Sequence, residues 1–201
     1  QTCALPILTI AAGSGNVTFG STLNGAQSLT ISGSGSKNFN GVVGGTTALT
    51  SINVSNATGT ASIGANVTTS GTQSYAGATS IAAATLATTN SLITFSGAST
   101  LTGAVTTSTG SGGVTFSSTI DGAQALTLNT TGTTTLNGII GGTTALTSIT
   151  TDSGGTTAIN TPAITTTGAQ SFNDAVTLGT GLTLASGSGN VTFGSTLNGA
   201  Q

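Results

Sequence analysis

The sequence predicts an all-β protein, and within that class a parallel β-helix (β-solenoid) built of short strands stacked coil upon coil. Three observations predict it. Of 201 residues, 47 are Thr, 32 Gly and 25 Ser, just over half the chain. Thr and Val favour strands, and this much Gly opposes long helices. Short apolar–polar alternations recur, such as Val114-Thr115-Phe116, Leu126-Thr127-Leu128 and Val176-Thr177-Leu178. Their period of two gives each run an inner and an outer face, and Asn-Gly, Asp-Gly, Gly-Gly and Ser-Gly turn signals separate them. Finally, the sequence repeats itself, with a short unit of solenoid size inside a longer one.

In chain order, the first segment stands apart. Residues 1–7, QTCALPI, hold the only Cys and one of the two Pro. Back-translated, they resemble a common sequencing-library adapter. LTIAAGSGNVTFGSTLNGAQ (8–27) and LTLASGSGNVTFGSTLNGAQ (182–201) match back to Leu8 and no further. Residues 1–7 are therefore read as a translated adapter artefact, and 8–201 as a single repetitive solenoid segment truncated at both ends.

The repeat sets the next elements. GNVTFGSTLNGAQ (15–27), GGVTFSSTIDGAQ (112–124) and GNVTFGSTLNGAQ (189–201) start at Gly15, Gly112 and Gly189, so the first step is longer than the second. Between them, GAQSLTISGSGSKNFNGVVGGTTALTSI (25–52) aligns with GAQALTLNTTGTTTLNGIIGGTTALTSI (122–149), and GTQSYAGATSI (71–81) with GAQSFNDAVTL (168–178). The surplus of the first step therefore lies between Ile81 and Val114, where Leu92-Ile93-Thr94-Phe95 resembles another Val-Thr-Phe strand. Taken as five and four units, the two steps give about 19 residues per coil, three strands to a coil and about ten coils, a rod of ~50 Å at the ~4.8 Å strand spacing. Phe19, Phe116 and Phe193 become equivalent core positions. The alternative is a string of small antiparallel β-domains, because Asn24-Gly25, Asn40-Gly41, Asn137-Gly138 and Asn198-Gly199 are hairpin signals. Asn and Gly also serve solenoid corners that need a positive φ.

Composition excludes most chemistries. The charged side chains are Lys37, Asp121, Asp152 and Asp174, and His, Arg, Glu, Met and Trp are absent. General acid–base work needs a titratable group at the reacting atom, and glycosidase chemistry needs two convergent carboxylates. The chain is expected not to be an enzyme. No catalytic, cofactor-binding or metal-ligating residue is assigned, and no cofactor is expected, since no His or Cys cluster exists. One Lys cannot make a nucleic-acid surface. No run approaches the ~20 apolar residues of a spanning helix. Lys37 reads as a solvated surface charge, and Asp121 and Asp174 as turn residues where related units carry Asn or Gly. Thr-x-Thr pairs start at Thr58, Thr107, Thr133 and Thr165, among others. Their uneven gaps do not fit one flat ice-binding face, so that function stays a remote alternative.

The units GAQSFNDAVTL, GNVTFGSTLNGAQ and GGTTALTSI resemble repeats of filamentous-haemagglutinin-like adhesins, large bacterial exoproteins exported by two-partner or autotransporter routes. The resemblance covers nearly all of residues 8–201. It implies a right-handed β-helix, an extracellular or cell-surface location, and a rigid spacer role in adhesion, biofilm or aggregation. The partners it allows are surface glycans or like chains, with end-to-end self-association through open β-edges. A glycan-binding repeat surface is the second reading and a polysaccharide-active β-helix enzyme a remote one.

Overall fold

The computed structural model describes residues 6–82 and 84–200. They form 25 short strands and no helix, and every strand pairing is parallel. The chain is a parallel β-solenoid, and the antiparallel alternative is overturned. One coil illustrates the plan. Ile93–Phe95 lies on the first face, Ser99–Leu101 on the second and Val105–Ser108 on the third, before Val114–Phe116 returns to the first. Face one is a continuous sheet of ten strands. Face two runs as six strands, continues through Ile140, which bridges Ile120 to Ile164, and ends in two more. Face three has seven strands, preceded by bridges from Leu23 to Val43 and Val43 to Val67.

The coils are longer and fewer than the repeat arithmetic gives. On face one the register pairs Ile7 with Ser28, Ser28 with Ser51, Ile52 with Gln73, Gln73 with Ile93, Ile93 with Val114, Val114 with Thr134, Thr133 with Thr156, Thr156 with Ala175 and Val176 with Leu197. The steps run from 19 to 23 residues and average 21, so the chain makes about nine coils rather than ten. Nine rises of ~4.8 Å make a stack of roughly 43 Å.

The reason lies in where the repeats fall. Phe19 is on face two, Phe116 on face one and Phe193 on face three. The first step of the long repeat is therefore four and two-thirds coils and the second three and two-thirds, and each then agrees with the coil length of the face-one register. Dividing by whole coils shortened the unit. The two steps differ by one complete coil, and Ile93–Phe95 pairs directly with Val114–Phe116.

Stacking makes the core. Inward residues sit on their partners in the next coil, as Ile31, Val54, Tyr75, Phe95, Phe116 and Leu136 do on face one. The rings stack in parallel: Tyr75 on Phe95 at 5.2 Å, Phe95 on Phe116 at 4.7 Å, Phe19 on Phe39 at 5.3 Å and Phe172 on Phe193 at 5.5 Å. Thr also turns inward, which outward alternation does not foresee. At the corner between faces three and one, the Thr69, Thr88 and Thr109 hydroxyls donate to the carbonyls of Gly71 (2.6 Å), Ser91 (2.5 Å) and Gly112 (2.9 Å). They satisfy backbone acceptors that a corner takes out of the ladder.

The Asn-Gly pairs are corners, not hairpins. Gly25 and Gly199 adopt φ of 138° and 137°, as Gly122 of the related Asp121-Gly122 pair does at 122°. Gly41 and Gly138 keep ordinary φ but pack so closely that a Cβ would strike the backbone of Ser21 and Ser118 in the coil below.

Buried polar groups differ between repeats in an instructive way. Gln73 donates through Nε2 to the carbonyls of Ala87 (2.8 Å) and Val67 (3.3 Å), and its Oε1 accepts from the Tyr75 hydroxyl at 3.2 Å. The equivalent Gln170 donates to Ala185 and Ile164 at 3.0 and 3.2 Å, but Phe172 replaces the tyrosine and Gln170 Oε1 has no partner. An unsatisfied buried acceptor costs about 1–3 kcal/mol. Tyr75→Phe is expected to lose stability in that range, and Phe172→Tyr to gain about 1 kcal/mol. Urea unfolding monitored by circular dichroism checks both; an unchanged midpoint for Tyr75→Phe would refute the assignment.

Candidate functional site

The four charged side chains are the natural candidates, and the structure disperses them. Lys37 is not a solvated surface charge. It faces inward on face two, between Val17 and Ala61 in the stack, and is 1% exposed. These short neighbours leave room for its stem. Its ammonium donates to the carbonyls of Gly33 (2.5 Å) and Thr58 (3.1 Å), joining two stacked corners. Burial holds its pKa below the ordinary lysine value.

Asp174 is also buried, at 2% exposure. It occupies the two-residue corner between Gln170–Phe172 and Ala175–Leu178. It accepts from the Thr151 hydroxyl at 2.9 Å and the Thr157 hydroxyl at 2.8 Å, which flank the same corner one coil earlier. No water-facing carboxylate remains there for a substrate. Burial raises its pKa; the Thr157 and Thr151 hydroxyls and its own backbone N–H oppose that shift, and the Asp152 carboxylate adds to it. In the aligned copy of the long repeat, Gly77, Val54 and Thr60 stand where Asp174, Thr151 and Thr157 stand here. The carboxylate and the Thr151 hydroxyl thus enter together, in place of a glycine and an apolar side chain.

Asp121 does a turn's work. The two 23-residue coils each carry an excursion, Val43 to Leu49 and Ile140 to Leu146, whose ends bridge the next coil. Gly44 and Gly141 start them at φ of 71° and 68°. The Asn24 Oδ1 of the coil below accepts from the N–H groups of Thr46 (2.9 Å) and Thr47 (3.3 Å). Asp121 Oδ1 accepts in the same way from Thr143 (2.7 Å) and Thr144 (3.0 Å). Asp152 is half-buried and accepts from the Thr130 N–H at 3.2 Å. Each carboxylate thus answers a local backbone or hydroxyl demand.

Other features carry no converging chemistry. Among the described residues no three His, Cys, Asp or Glu side chains come together. Among them, too, no helix is long and apolar enough to cross a membrane. Tyr75 and all six Phe point into the core or are half-buried against it, so no aromatic ring is offered to a sugar. The Tyr75 hydroxyl is raised in pKa by burial. A cleft of about 80 Å³ at the first coil, lined by Leu8, Leu23, Leu29 and Leu49, is far below the roughly 300–1,000 Å³ of ligand pockets. Of the Thr-x-Thr pairs, Thr107 faces the core while Thr133 is exposed on face one, so they share no surface. The proposed adapter segment falls partly outside the described residues, which exclude 1–5; Ile7 opens the strand Ile7–Ala11. No protein-family model, no characterised protein and no solved structure matches this chain.

Two outcomes test these roles. Asp121→Ala is expected to cost about 1–2 kcal/mol by freeing two N–H groups, whereas Asp121→Asn restores the Asn24 arrangement and stays near wild type; urea midpoints decide. For Asp174 the folded pKa lies above the unfolded one, so its contribution is fully present below the ordinary carboxyl range and is lost as pH rises through the folded value. Asp174→Asn is expected to raise the melting temperature at neutral pH and to remove that acid-side gain. A wild-type protein that gains stability over the same rise in pH, with the variant flat, contradicts the buried-carboxylate account.

Proposed function

We propose that this chain is a structural spacer, a shaft segment of a secreted or surface-bound repetitive bacterial exoprotein of the filamentous-haemagglutinin-like kind. It is not an enzyme in this reading. The single observation that carries it is the unbroken in-register stacking of about nine coils, in which the charged residues serve internal corners and turns. A stack of this kind fixes distance, because each coil advances a constant ~4.8 Å and is bonded only to its neighbours. The repeat resemblance supplies the extracellular setting, and a spacer between cell surface and a distal adhesive module fits it. The glycan-binding reading draws no support from the rings, all of which face the core.

A length experiment tests the proposal. Set between a surface anchor and a terminal binding module, the chain is expected to be replaceable by an unrelated β-solenoid of equal length with adhesion retained. Removing whole coils, beginning with 93–113, is expected to lower adhesion as reach shortens. Loss of adhesion on equal-length replacement, or binding of the isolated chain on a glycan array, overturns it.

A further inference from the structure

We propose that face one is an interface on which a second copy of this chain packs side by side. It is the one face that runs as a single sheet of ten hydrogen-bonded strands. Both Gly-Gly-Thr-Thr excursions lie elsewhere: Val43 and Leu49 bridge to face three, and Ile140 and Leu146 to the neighbourhood of Ile164 and Thr166 on face two. The two charges that reach solvent are also elsewhere. Asp121 ends a strand of face two, and Asp152 follows Ser148–Thr151 of face three. Lys37 and Asp174 are buried. Among the described residues, face one therefore carries no charged side chain and no projection.

Its outward central column is small and mostly β-branched: Thr30, Ser74, Thr94, Thr115, Thr135 and Thr177, with Asn53 and Ala158 between them. Such residues leave a low-relief surface. Each Thr offers a methyl to pack and a hydroxyl that both donates and accepts, so two identical columns satisfy one another. Small side chains on facing sheets can also interdigitate without water. Leu92, 41% exposed, adds an apolar contact at the margin. The ten strands of face one hold 37 residues, which at ~3.3 Å along and ~4.8 Å across the strands cover roughly 600 Å², about three-quarters of the ~800 Å² per partner of a standard specific interface. A second copy presents the same uncharged surface, so no ion has to be desolvated and no like charges meet. A charged partner would find nothing on this face to pair with.

Sedimentation and small-angle X-ray scattering of the full chain across a concentration series test this, with a reductant present to keep Cys3 from cross-linking. The wild type is expected to double in mass with its maximum length unchanged and its cross-section enlarged. Lysines at Thr94, Thr115 and Thr135 on face one are expected to weaken association at least about tenfold by opposing like charges. Lysines at Thr106, Thr127 and Thr150, the outward column of face three, are expected to leave it unchanged. The single variant Thr115→Lys is measured alongside, with circular dichroism to confirm the fold, and should weaken association in the same direction. A wild type that stays monomeric at the highest concentration, a dimer of doubled length, or equal loss from both lysine sets each overturns the proposal.

Discussion

Everything in this molecule depends on the parallel hydrogen-bond ladder between successive coils. A single coil cannot pair its own backbone groups, because its three short strands point along different faces. Its N–H and C=O groups are satisfied only by the coils above and below. The ladder in turn fixes the side chains: parallel pairing in register puts each inward residue on its counterpart, so rings stack on rings and aliphatics on aliphatics. A core this thin has no second layer. The inner columns must therefore absorb whatever the sequence places there, including Lys37, Asp174 and the inward Thr residues.

The fold class was legible because alternation in runs such as Val-Thr-Phe and the turn dipeptides between them report local geometry. The coil length was not, for a definite reason. Aligned segments in a solenoid need not be whole coils apart; they need only occupy similar environments, and the three faces here are alike enough that Phe19, Phe116 and Phe193 each fit a different one. The difference between the two steps was the better ruler, since inserting or losing one coil leaves every face in register. The burial of Lys37 and Asp174 was equally hidden. A lone charge in a Thr-rich chain carries no mark of which way its strand residue points, and the corners that receive these groups exist only once coils are stacked.

The repeats also show how the interior tolerates polarity. Where one copy has Val54 and Gly77, the other has Thr151 and Asp174, so the carboxylate arrives with a hydroxyl to donate to it. Where one copy completes Gln73 with Tyr75, the other leaves Gln170 Oε1 unpaired beside Phe172. The first change is compensated and the second is not. Neither breaks the fold, because the backbone ladder and the other inward columns on each face continue past it. Local defects are tolerated when the ladder around them is intact, as expected of a quasi-one-dimensional array held by nearest-neighbour contacts.

A repeat of four and two-thirds coils has a geometric consequence. Each step of the long repeat carries a feature to a different face, as the Gly-Gly-Thr-Thr excursion moves from face three to face two. Two copies of the excursion occupy two of the three faces, and face one is the face that they, Asp121 and Asp152 leave clear. Each excursion requires extra residues, a positive-φ glycine and an Asn or Asp in the coil below. Their placement sets two faces apart as bearing loops and charge and leaves the third level, so near-equivalence inside the core coexists with inequivalence outside it. The excursions reconcile the two, because their ends Val43, Leu49, Ile140 and Leu146 stay buried and bridged to the next coil while the residues between them project.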